Sequence, residues 1–238
     1  MEEIIQKIRA ELINNIDEKY LISIDRFFKE KHKDYGVRTP IVRKIAKRFY
    51  KDVKNYSKKE LLEISEELLK SGYNEESTIA VQWITQINDN LTKEDFKILE
   101  KWVDKYIDNW GKVDDFCLKI LSHYIIKFPE HKDSIKSWTS SKNLWKRRCS
   151  AVGFIKSGSW RIHAPYLKDV FEVALILMED KEDLVRKGYG WMLKIAAEDF
   201  QKEVFDFVMK HKKIMPRVSL RYAIEKMPQD LKKKAMAK

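Results

Sequence analysis

The chain has 238 residues, of which 44% are hydrophobic and 36% are charged, and its net charge at pH 7 is +11. This length fits one large domain or two small ones, and the presence of only 7 Gly and 5 Pro disfavours an all-β protein, which needs many turn residues. The basic excess favours a polyanionic partner, most often nucleic acid, over a surface that is merely basic.

The first predicted helix covers residues 1–15 and is amphipathic, without the apolar core of a secretory signal. No later segment approaches the ~18 consecutive apolar residues of a membrane span. Cys117 and Cys149 fall within apolar helical patterns, which indicates small core residues in a reducing compartment. We therefore expect a cytoplasmic protein that does not bind membranes.

Apolar residues at helical spacing predict helices along most of the chain. Thr39 and Pro40 predict an N-cap followed by proline in the first turn, and capping boxes are predicted at Ser57–Glu60 and Thr92–Asp95. The linkers are short and polar, so none of them divides the chain into independent domains. The predicted helices cover residues 1–15, 22–32, 39–54, 59–71, 76–88, 93–107, 110–127, 131–138, 142–157, 165–179, 182–197, 200–211, 216–227 and 229–237.

Small residues recur at one position of the pattern, with spacings of 34 to 37 residues. Such a period, carried by paired amphipathic helices, is typical of an α-solenoid. We therefore predict an all-α solenoid of helical repeats, a single domain over residues 1–238, which is curved and has a concave basic groove lined by the second helix of each pair. The five small residues are Ala80, Cys117, Ala151, Gly188 and Ala223.

The segment NWGKVDD places Trp110 and Asp114 four residues apart. If a helix begins near Trp110, the two side chains share one face. The alternative is a core tryptophan beside an exposed aspartate near a helix start, where the helix dipole favours a carboxylate. The spacing alone favours this alternative, so the pair is a candidate catalytic site that needs support from elsewhere in the chain.

A basic cluster follows in the segment NLWKRRCSAV. Arg148 lies 34 residues after Asp114, about one repeat, so the two residues could be neighbours on adjacent helices. Lys146, Arg147 and Arg148 are candidates for contacts with nucleic-acid phosphates. The alternative is that the basic residues of this segment are simply solvated.

The segment VRKGYGWMLK contains Gly188 and Gly190 within a strong helical pattern, at a cost of ~1 kcal/mol each relative to Ala. Such glycines indicate the close approach of another backbone. The pair is not a dinucleotide fingerprint, because no strand precedes it and no third glycine follows. Arg186 and Lys187 add basic charge here, and Trp191 either packs in the core or faces the groove.

The sequence offers no set of residues for a metal or a cofactor. Its five histidines are scattered, and neither HExxH nor CxxC occurs. It also lacks a phosphate-binding P-loop and a GxSxG nucleophile motif. We therefore expect neither a metal nor a cofactor.

Taken together, these segments resemble the AlkD-type DNA alkylation repair family, which consists of HEAT-like repeat DNA glycosylases. The resemblance covers roughly residues 20–225 and rests on GVRTPIVRKIAK, NWGKVDDFC followed by FPEH, SKNLWKRRCSAVGFIK and LVRKGYGWMLKIAAE, in this order. Three positions depart from the family pattern. Phe27 replaces an expected aromatic hydroxyl, Asn109 stands where an aromatic residue occurs, and Gly111 stands where an acidic residue is common.

The resemblance implies that Trp110, Asp114 and Trp191 are catalytic, and that the lesion need not enter a deep pocket. The residues expected to bind DNA are Arg148, Arg147, Lys146, Lys187, Arg186, Thr39 and Pro40.

We therefore predict a monomeric, monofunctional DNA glycosylase that excises N3- and N7-alkylated purines from duplex DNA in base excision repair. In this hypothesis the Asp114 carboxylate and the tryptophan faces stabilise an oxocarbenium-like sugar. The alternatives are a non-catalytic solenoid that binds duplex or branched DNA, and a protein-binding scaffold.

Overall fold

A computed structural model describes residues 1–24, 26–28, 30, 32–156, 158 and 160–237. Helices account for most of this part of the chain, and its β structure is one short hairpin. The prediction of an all-α, solenoid-like fold is confirmed. Within the described ranges, no helix is both long and apolar enough to cross a membrane.

The chain forms two compact units, the N-terminal unit Met1–Ile120 and the C-terminal unit Leu121–Lys238. The expectation of a single domain over residues 1–238 stays a prediction, because the division into two compact units does not test it. The helices of the N-terminal unit are α1 (Glu2–Ile13), α2 (Glu18–Ile24), α3 (Thr39–Val53), α4 (Lys58–Lys70), α5 (Asn74–Thr85), α6 (Phe96–Lys105) and α7 (Trp110–Phe116).

The C-terminal unit contains further helices and the hairpin. Its elements are α8 (Ser122–Lys127), α9 (Lys132–Ser137), α10 (Leu144–Val152), β1 (Ile155–Lys156), β2 (Arg161–Ile162), α11 (Leu167–Leu177), α12 (Asp183–Ala196), α13 (Gln201–His211), α14 (Arg217–Ala223) and α15 (Gln229–Met236).

In the N-terminal unit, α5 packs against α3, α4 and α7. Trp83 of α5 is fully buried, and its indole N–H donates a hydrogen bond of 2.9 Å to the carbonyl of Ala46 in α3. Ala80, one of the five recurring small residues, is buried in the same helix. The small residue and the tryptophan therefore lie one turn apart in the core, as their spacing predicts.

In the C-terminal unit, α12 packs between α10 and α14. A Cβ added to Gly190 of α12 would lie 2.9 Å from the Cβ of Tyr222 and 3.0 Å from the Cα of Ser219 in α14. This approach is too close for a side chain, so the prediction that Gly190 permits close backbone contact is confirmed. Ala151 and Ala223 are fully buried on the neighbouring helices.

Both predicted capping boxes are present, because Ser57–Glu60 and Thr92–Asp95 each show the reciprocal hydrogen bonds. The first box begins α4, and the second begins a 3₁₀ turn, Lys93–Asp95, that leads directly into α6. The N-cap predicted at Thr39 is wrong by one residue. Arg38 is the extended N-cap residue and its side chain makes no capping hydrogen bond, so Thr39 is already helical and Pro40 is the second helical residue. Proline tolerates this place because the first turn has no intrahelical partner for its missing N–H.

The helix predicted over residues 142–157 is too long. α10 ends at Val152, and a hairpin follows in which Ile155 pairs with Ile162 and Lys156 pairs with Arg161. The two isoleucines are buried on one face of the hairpin. The two strands contain only four residues, and an alternation of buried and exposed side chains over so few residues cannot be distinguished from the end of a helix.

The single helix predicted over residues 110–127 is interrupted. α7 ends at Phe116, the residues Cys117–Leu121 form a π-helical segment, and α8 follows. A π-helical turn is wider than an α-helical one and is frequent at functional sites. The helix predicted over residues 22–32 is also shorter, because α2 covers Glu18–Ile24 and residues 26–28 are non-helical; residues 25, 29 and 31 lie outside the described part of the chain.

Candidate functional site

Trp110 is the first residue of α7, so it shares this helix with Asp114 at a spacing of one turn. Asn109 is the N-cap, and its side-chain oxygen accepts a hydrogen bond of 3.0 Å from the backbone N–H of Lys112. The Asn109 amide group also donates to the side chain of Asn74 in α5 at 2.8 Å. Asparagine at this position therefore begins the helix and ties it to α5, which an aromatic residue there would not do.

The Trp110 ring is stacked on Phe28, with ring centroids 4.9 Å apart and an angle of 19° between the planes. Phe27, the aromatic residue that the sequence comparison singled out, is 71% exposed. A Cβ on Gly111 would lie 3.3 Å from the Phe28 ring, so the absence of a side chain at 111 leaves room for this stack. Sequence reasoning missed Phe28, because it follows no helical pattern shared with Trp110.

Asp114 and Trp110 are both partly buried on α7. The amine of Lys112 donates hydrogen bonds of 2.8 Å to the carbonyl of Gly72 and to the carboxylate of Asp108. Lys112 is buried in this arrangement, which occupies the one amine on α7. The chemical group that α7 offers beside Trp110 is therefore a carboxylate, not a nucleophilic amine.

A pocket of about 220 Å³ lies in the N-terminal unit beside the Phe28 ring. Thr39 lines it together with Gly111 and Asp115, so the structure brings the start of α3 to the start of α7. Pro40 is exposed on the same turn of α3. The pocket is lined by Tyr20, Ile24, Phe28, Asp34, Val37, Thr39, Val42, Asn74, Glu75, Ser77, Thr78, Gly111, Lys112 and Asp115.

Glu75 of α5 holds the wall of this pocket in place. Its carboxylate accepts hydrogen bonds from the backbone N–H groups of Tyr35, Gly36 and Val37 at 3.1, 2.9 and 3.0 Å. Burial raises the pKa of the Glu75 carboxyl above its ordinary range, although the N–H groups of Val37 and Tyr35 oppose the shift. This carboxyl group therefore orders the segment that leads into α3.

In the C-terminal unit, Arg148 of α10 is only 5% exposed. Its guanidinium group donates a hydrogen bond to the carbonyl of Leu184 in α12. A Cβ on Gly188 would lie 3.2 Å from the Cγ of Arg148. Because Gly188 has no side chain, the Arg148 side chain can lie directly against α12. This contact explains why a glycine stands at this helical position.

The other basic residues of this region also make contacts within the unit. Arg147 donates to both carboxylate oxygens of Asp180, at 2.6 and 3.2 Å, and the Nε of Arg186 donates to the carbonyl of the same residue. Lys146 lies 5.3 Å from the centroid of the Trp138 ring. The two arginines connect α10 and α12 to the residue Asp180 that precedes α12, and sequence reasoning did not anticipate Asp180 as the common partner of Arg147 and Arg186.

Lys187 and Trp191 lie one turn apart on α12, and both are partly buried. Lys187 forms an ion pair of 2.6 Å with Asp183 along the helix. The Trp191 ring faces Trp160 from the hairpin, with centroids 5.9 Å apart. Trp191 therefore differs from Trp83 and Phe154, the residues at the same repeat position, which are fully buried.

The model of the family described as DNA alkylation repair enzyme matches residues 8–227. The chain belongs to this family. A solved structure described as a predicted DNA alkylation repair enzyme from Enterococcus faecalis is similar in fold, with a TM-score of 0.77 and 14% sequence identity; the match covers 90% of this chain and 98% of that one. A comparison with curated protein sequences finds no match.

For a member of the DNA alkylation repair family, the distribution of charge is informative. Residues 1–120 contain 23 Lys and Arg against 23 Asp and Glu, whereas residues 121–238 contain 25 against 14. The whole excess of +11 therefore belongs to the C-terminal unit, where Arg147, Arg148, Arg186 and Lys187 lie. A DNA backbone is attracted to such a surface.

The predicted site residues of this DNA alkylation repair family member fall into two sets, one in each unit. Trp110 and Asp114, with Thr39 nearby at the pocket, belong to the N-terminal unit, and Trp191 with the basic residues belongs to the C-terminal unit. The roles assigned to all of these residues stay predictions.

Proposed function

We propose that the protein is a DNA glycosylase that releases cationic N3- and N7-alkylated purines from duplex DNA. The observation that carries the proposal is the Trp110–Asp114 pair on α7, which places a carboxylate one turn from an aromatic ring that is itself stacked on Phe28. Membership of the DNA alkylation repair family supports alkylated DNA as the substrate. The basic C-terminal unit supplies the charge that holds the DNA backbone.

The chemistry needs little acid catalysis. In an N3- or N7-alkylated purine, the base already carries positive charge, so it keeps the electron pair of the broken C1′–N bond and leaves neutral. The sugar becomes an oxocarbenium-like cation, and water adds to C1′ to give an abasic site. A preorganised carboxylate beside that cation stabilises the transition state more than the ground state.

Asp114 is assigned this role in the proposal. Its carboxylate faces the developing cation, orients the attacking water and accepts its proton. The Trp110 face adds a cation–π attraction to the same sugar. The engagement of Lys112 with Gly72 and Asp108 supports attack on C1′ by water rather than by this amine, as in a monofunctional enzyme.

In the proposal, Trp191 keeps its predicted catalytic role, and Lys187 and Arg148 bind DNA in the C-terminal unit. Trp191 presses its partly exposed ring against sugar and backbone, and the basic residues hold phosphates. Arg148 acts from a buried position, where its hydrogen bond to Leu184 sets the direction of the guanidinium group.

The first prediction tests the carboxylate. Asp114→Asn keeps the size of the side chain but removes its charge, so we expect single-turnover release of 7-methylguanine from methylated duplex DNA to slow by about 10²- to 10³-fold. The dissociation constant for the same duplex should change little, because a carboxylate does not attract phosphates.

A matched control is available at the next position. Asp115→Asn makes the same chemical change in a residue whose carboxylate is paired with Lys119 at 2.5 Å, and it should retain most of the wild-type rate. An Asp114→Asn enzyme that releases the base as fast as wild type would contradict the assignment of Asp114.

The second candidate function is a DNA-binding protein without catalysis, which the concentration of charge in the C-terminal unit favours by itself. This candidate predicts salt-dependent binding to duplex DNA and no release of any cationic purine. A wild-type protein that binds but leaves both 7-methylguanine and 3-methyladenine in place would select it.

A further inference from the structure

The hairpin between α10 and α11 combines three features that the proposed function does not use. Its solvent-facing strand residues are two opposed cations, its end presents an exposed tryptophan, and that tryptophan has a left-handed backbone. Each feature is unfavourable for an isolated hairpin. Their coincidence on one element suggests a binding role.

The first feature is the pairing of charges. Lys156 and Arg161 are direct cross-strand partners, so their side chains leave the same face of the hairpin. The opposite face is formed by Ile155 and Ile162, which are buried. Like charges directly opposite each other destabilise a strand pair. Arg161 also forms an ion pair with Asp199, which offsets part of this repulsion and leaves Lys156 as the second cation of the face.

The second feature is Trp160, which is 48% exposed and lies in the turn immediately before β2. One side of its ring contacts Trp191 of α12, with centroids 5.9 Å apart and an angle of 40° between the planes. The contact holds the indole in one place while much of its surface stays open to solvent. A fixed, exposed aromatic ring beside cations is the arrangement by which proteins stack on nucleobases.

The third feature is the backbone of Trp160, whose φ is +50°. A bulky residue rarely adopts this left-handed conformation, which suits glycine. Strained backbone of this kind persists when neighbouring contacts fix it, and it is concentrated at functional sites. Here the packing of the isoleucine face and the Trp191 contact supply the fixing contacts.

We infer that this hairpin is a DNA-contacting element, in which Trp160 stacks on a nucleobase left exposed where the duplex is distorted, and Lys156 and Arg161 bind the flanking phosphates. The inference rests on the proposed function in so far as it takes DNA as the partner, but it does not require catalysis. A two-stranded ribbon is narrow enough to enter a DNA groove, and apolar side chains inserted at base steps stabilise distorted DNA.

The test measures dissociation constants for two duplexes, one intact and one with a tetrahydrofuran abasic analogue. Loss of one base–aromatic stack is expected to weaken binding of the abasic duplex by Trp160→Ala between about 5-fold and about 150-fold. Binding of the intact duplex should weaken less, because its bases remain stacked on one another. Trp160→Phe keeps an aromatic ring and should retain most of the affinity.

Three further variants separate binding from stability and from charge. Trp160→Gly suits the left-handed backbone, so its melting temperature should not fall although its affinity falls as in Trp160→Ala. Lys156→Ala should reduce the slope of log K against log salt by about 0.9, whereas Trp160→Ala should leave the slope unchanged. The matched control is Ile176→Ala on α11, which truncates a side chain that is 55% exposed. This variant should change neither the affinity for DNA nor the slope of log K against log salt.

The outcomes are distinct for the two proposals. Wild-type protein that binds the abasic duplex, together with Trp160→Ala and Trp160→Gly proteins that bind it equally well, would overturn the role of the hairpin and leave the proposed function standing. Wild-type protein that binds neither duplex would overturn DNA as the partner, and both proposals with it.

Discussion

Around Trp110 the N-terminal unit presents carboxylates and aromatic rings, whereas around Trp191 the C-terminal unit presents cations and aromatic rings. The positive and negative side chains of residues 1–120 balance, and residues 121–238 carry the entire net charge of +11. A carboxylate that stabilises a cationic sugar needs a setting that is not strongly positive, and a phosphate-binding surface needs the opposite. Under the proposed function, the catalytic carboxylate therefore lies in one unit and most of the DNA affinity comes from the other.

The two units also differ in how their charged groups are held. In the C-terminal unit, Arg147 and Arg186 both donate to Asp180, and Arg148 donates to a backbone carbonyl. These arginines therefore support α10 and α12 as well as contributing positive charge. In the N-terminal unit, the buried Glu75 accepts hydrogen bonds from the backbone N–H groups of Gly36 and Val37 and so orders the segment before α3.

The largest effect expected among the variants that probe this comparison is on stability. Gly190→Ala places a Cβ against the backbone of Ser219, which has no room to shift, so the free energy of unfolding should fall by about 1–3 kcal/mol. Gly111→Ala in the N-terminal unit meets only the ends of the Asn109 and Phe28 side chains at 3.3 Å. Because alanine also favours the helix and these neighbours need to move by only a few tenths of an ångström, this variant should lose less stability than Gly190→Ala.

Urea unfolding followed by circular dichroism measures both glycine variants. Equal stability of Gly190→Ala and wild type would show that the α12–α14 contact is looser than the structure describes. A large destabilisation by Gly111→Ala would show instead that the Phe28–Trp110 stack tolerates no displacement.

The next effect separates the two tryptophans. Trp110→Ala and Trp191→Ala each remove stacking area and a cation–π attraction of ~1–2 kcal/mol, so each should lower both the rate and the affinity. Because Trp110 shares α7 with Asp114, its loss should affect the single-turnover rate more than the dissociation constant. Trp191, in the basic unit, should show the reverse.

The corresponding Trp→Phe variants are the controls, since they keep an aromatic face and should recover part of each loss. Base-release kinetics and DNA titrations on the same preparations give both quantities. If Trp110→Ala altered only affinity and Trp191→Ala only the rate, the assignment of roles to the two units would be reversed.

The smallest effect concerns single surface cations. Lys187→Ala should reduce the slope of log K against log salt by about 0.9, because one phosphate contact is lost. Lys59→Ala is a matched control in the N-terminal unit, since Lys59 is also paired with a carboxylate one turn along its helix. It should leave the slope as in wild type, and an equal reduction in both variants would mean that DNA affinity is not concentrated in the C-terminal unit.

Local patterns in the sequence predicted a large part of the fold. The capping boxes at Ser57–Glu60 and Thr92–Asp95 are present because such a box needs only residues that are three apart. The recurring small residues lie in the core because the same packing position returns with each repeat. The α7 start at Trp110 follows from the asparagine that precedes it.

Short-range sequence patterns did not predict the correct backbone conformation where two conformations compete over a few residues. The end of α10, the π-helical segment after Phe116 and the N-cap of α3 are the places where the structure differs from the predicted helices. Four strand residues and one wide helical turn carry too little periodicity to be distinguished from a helix.

The sequence by itself determined the helical class of the molecule, its repeat, its basic character and the spacing of Trp110 and Asp114, because each of these is a property of residues close together along the chain or of their sum. Only the tertiary structure decided which side chains meet. Phe28 stacks on Trp110, and the Trp160 ring contacts the Trp191 ring. Asp180 accepts a hydrogen bond from Arg147, which is 33 residues away in the sequence. Such pairs arise when whole helices pack together. The burial of apolar area and the pairing of charges between helices then outweigh the conformational preference of each short segment.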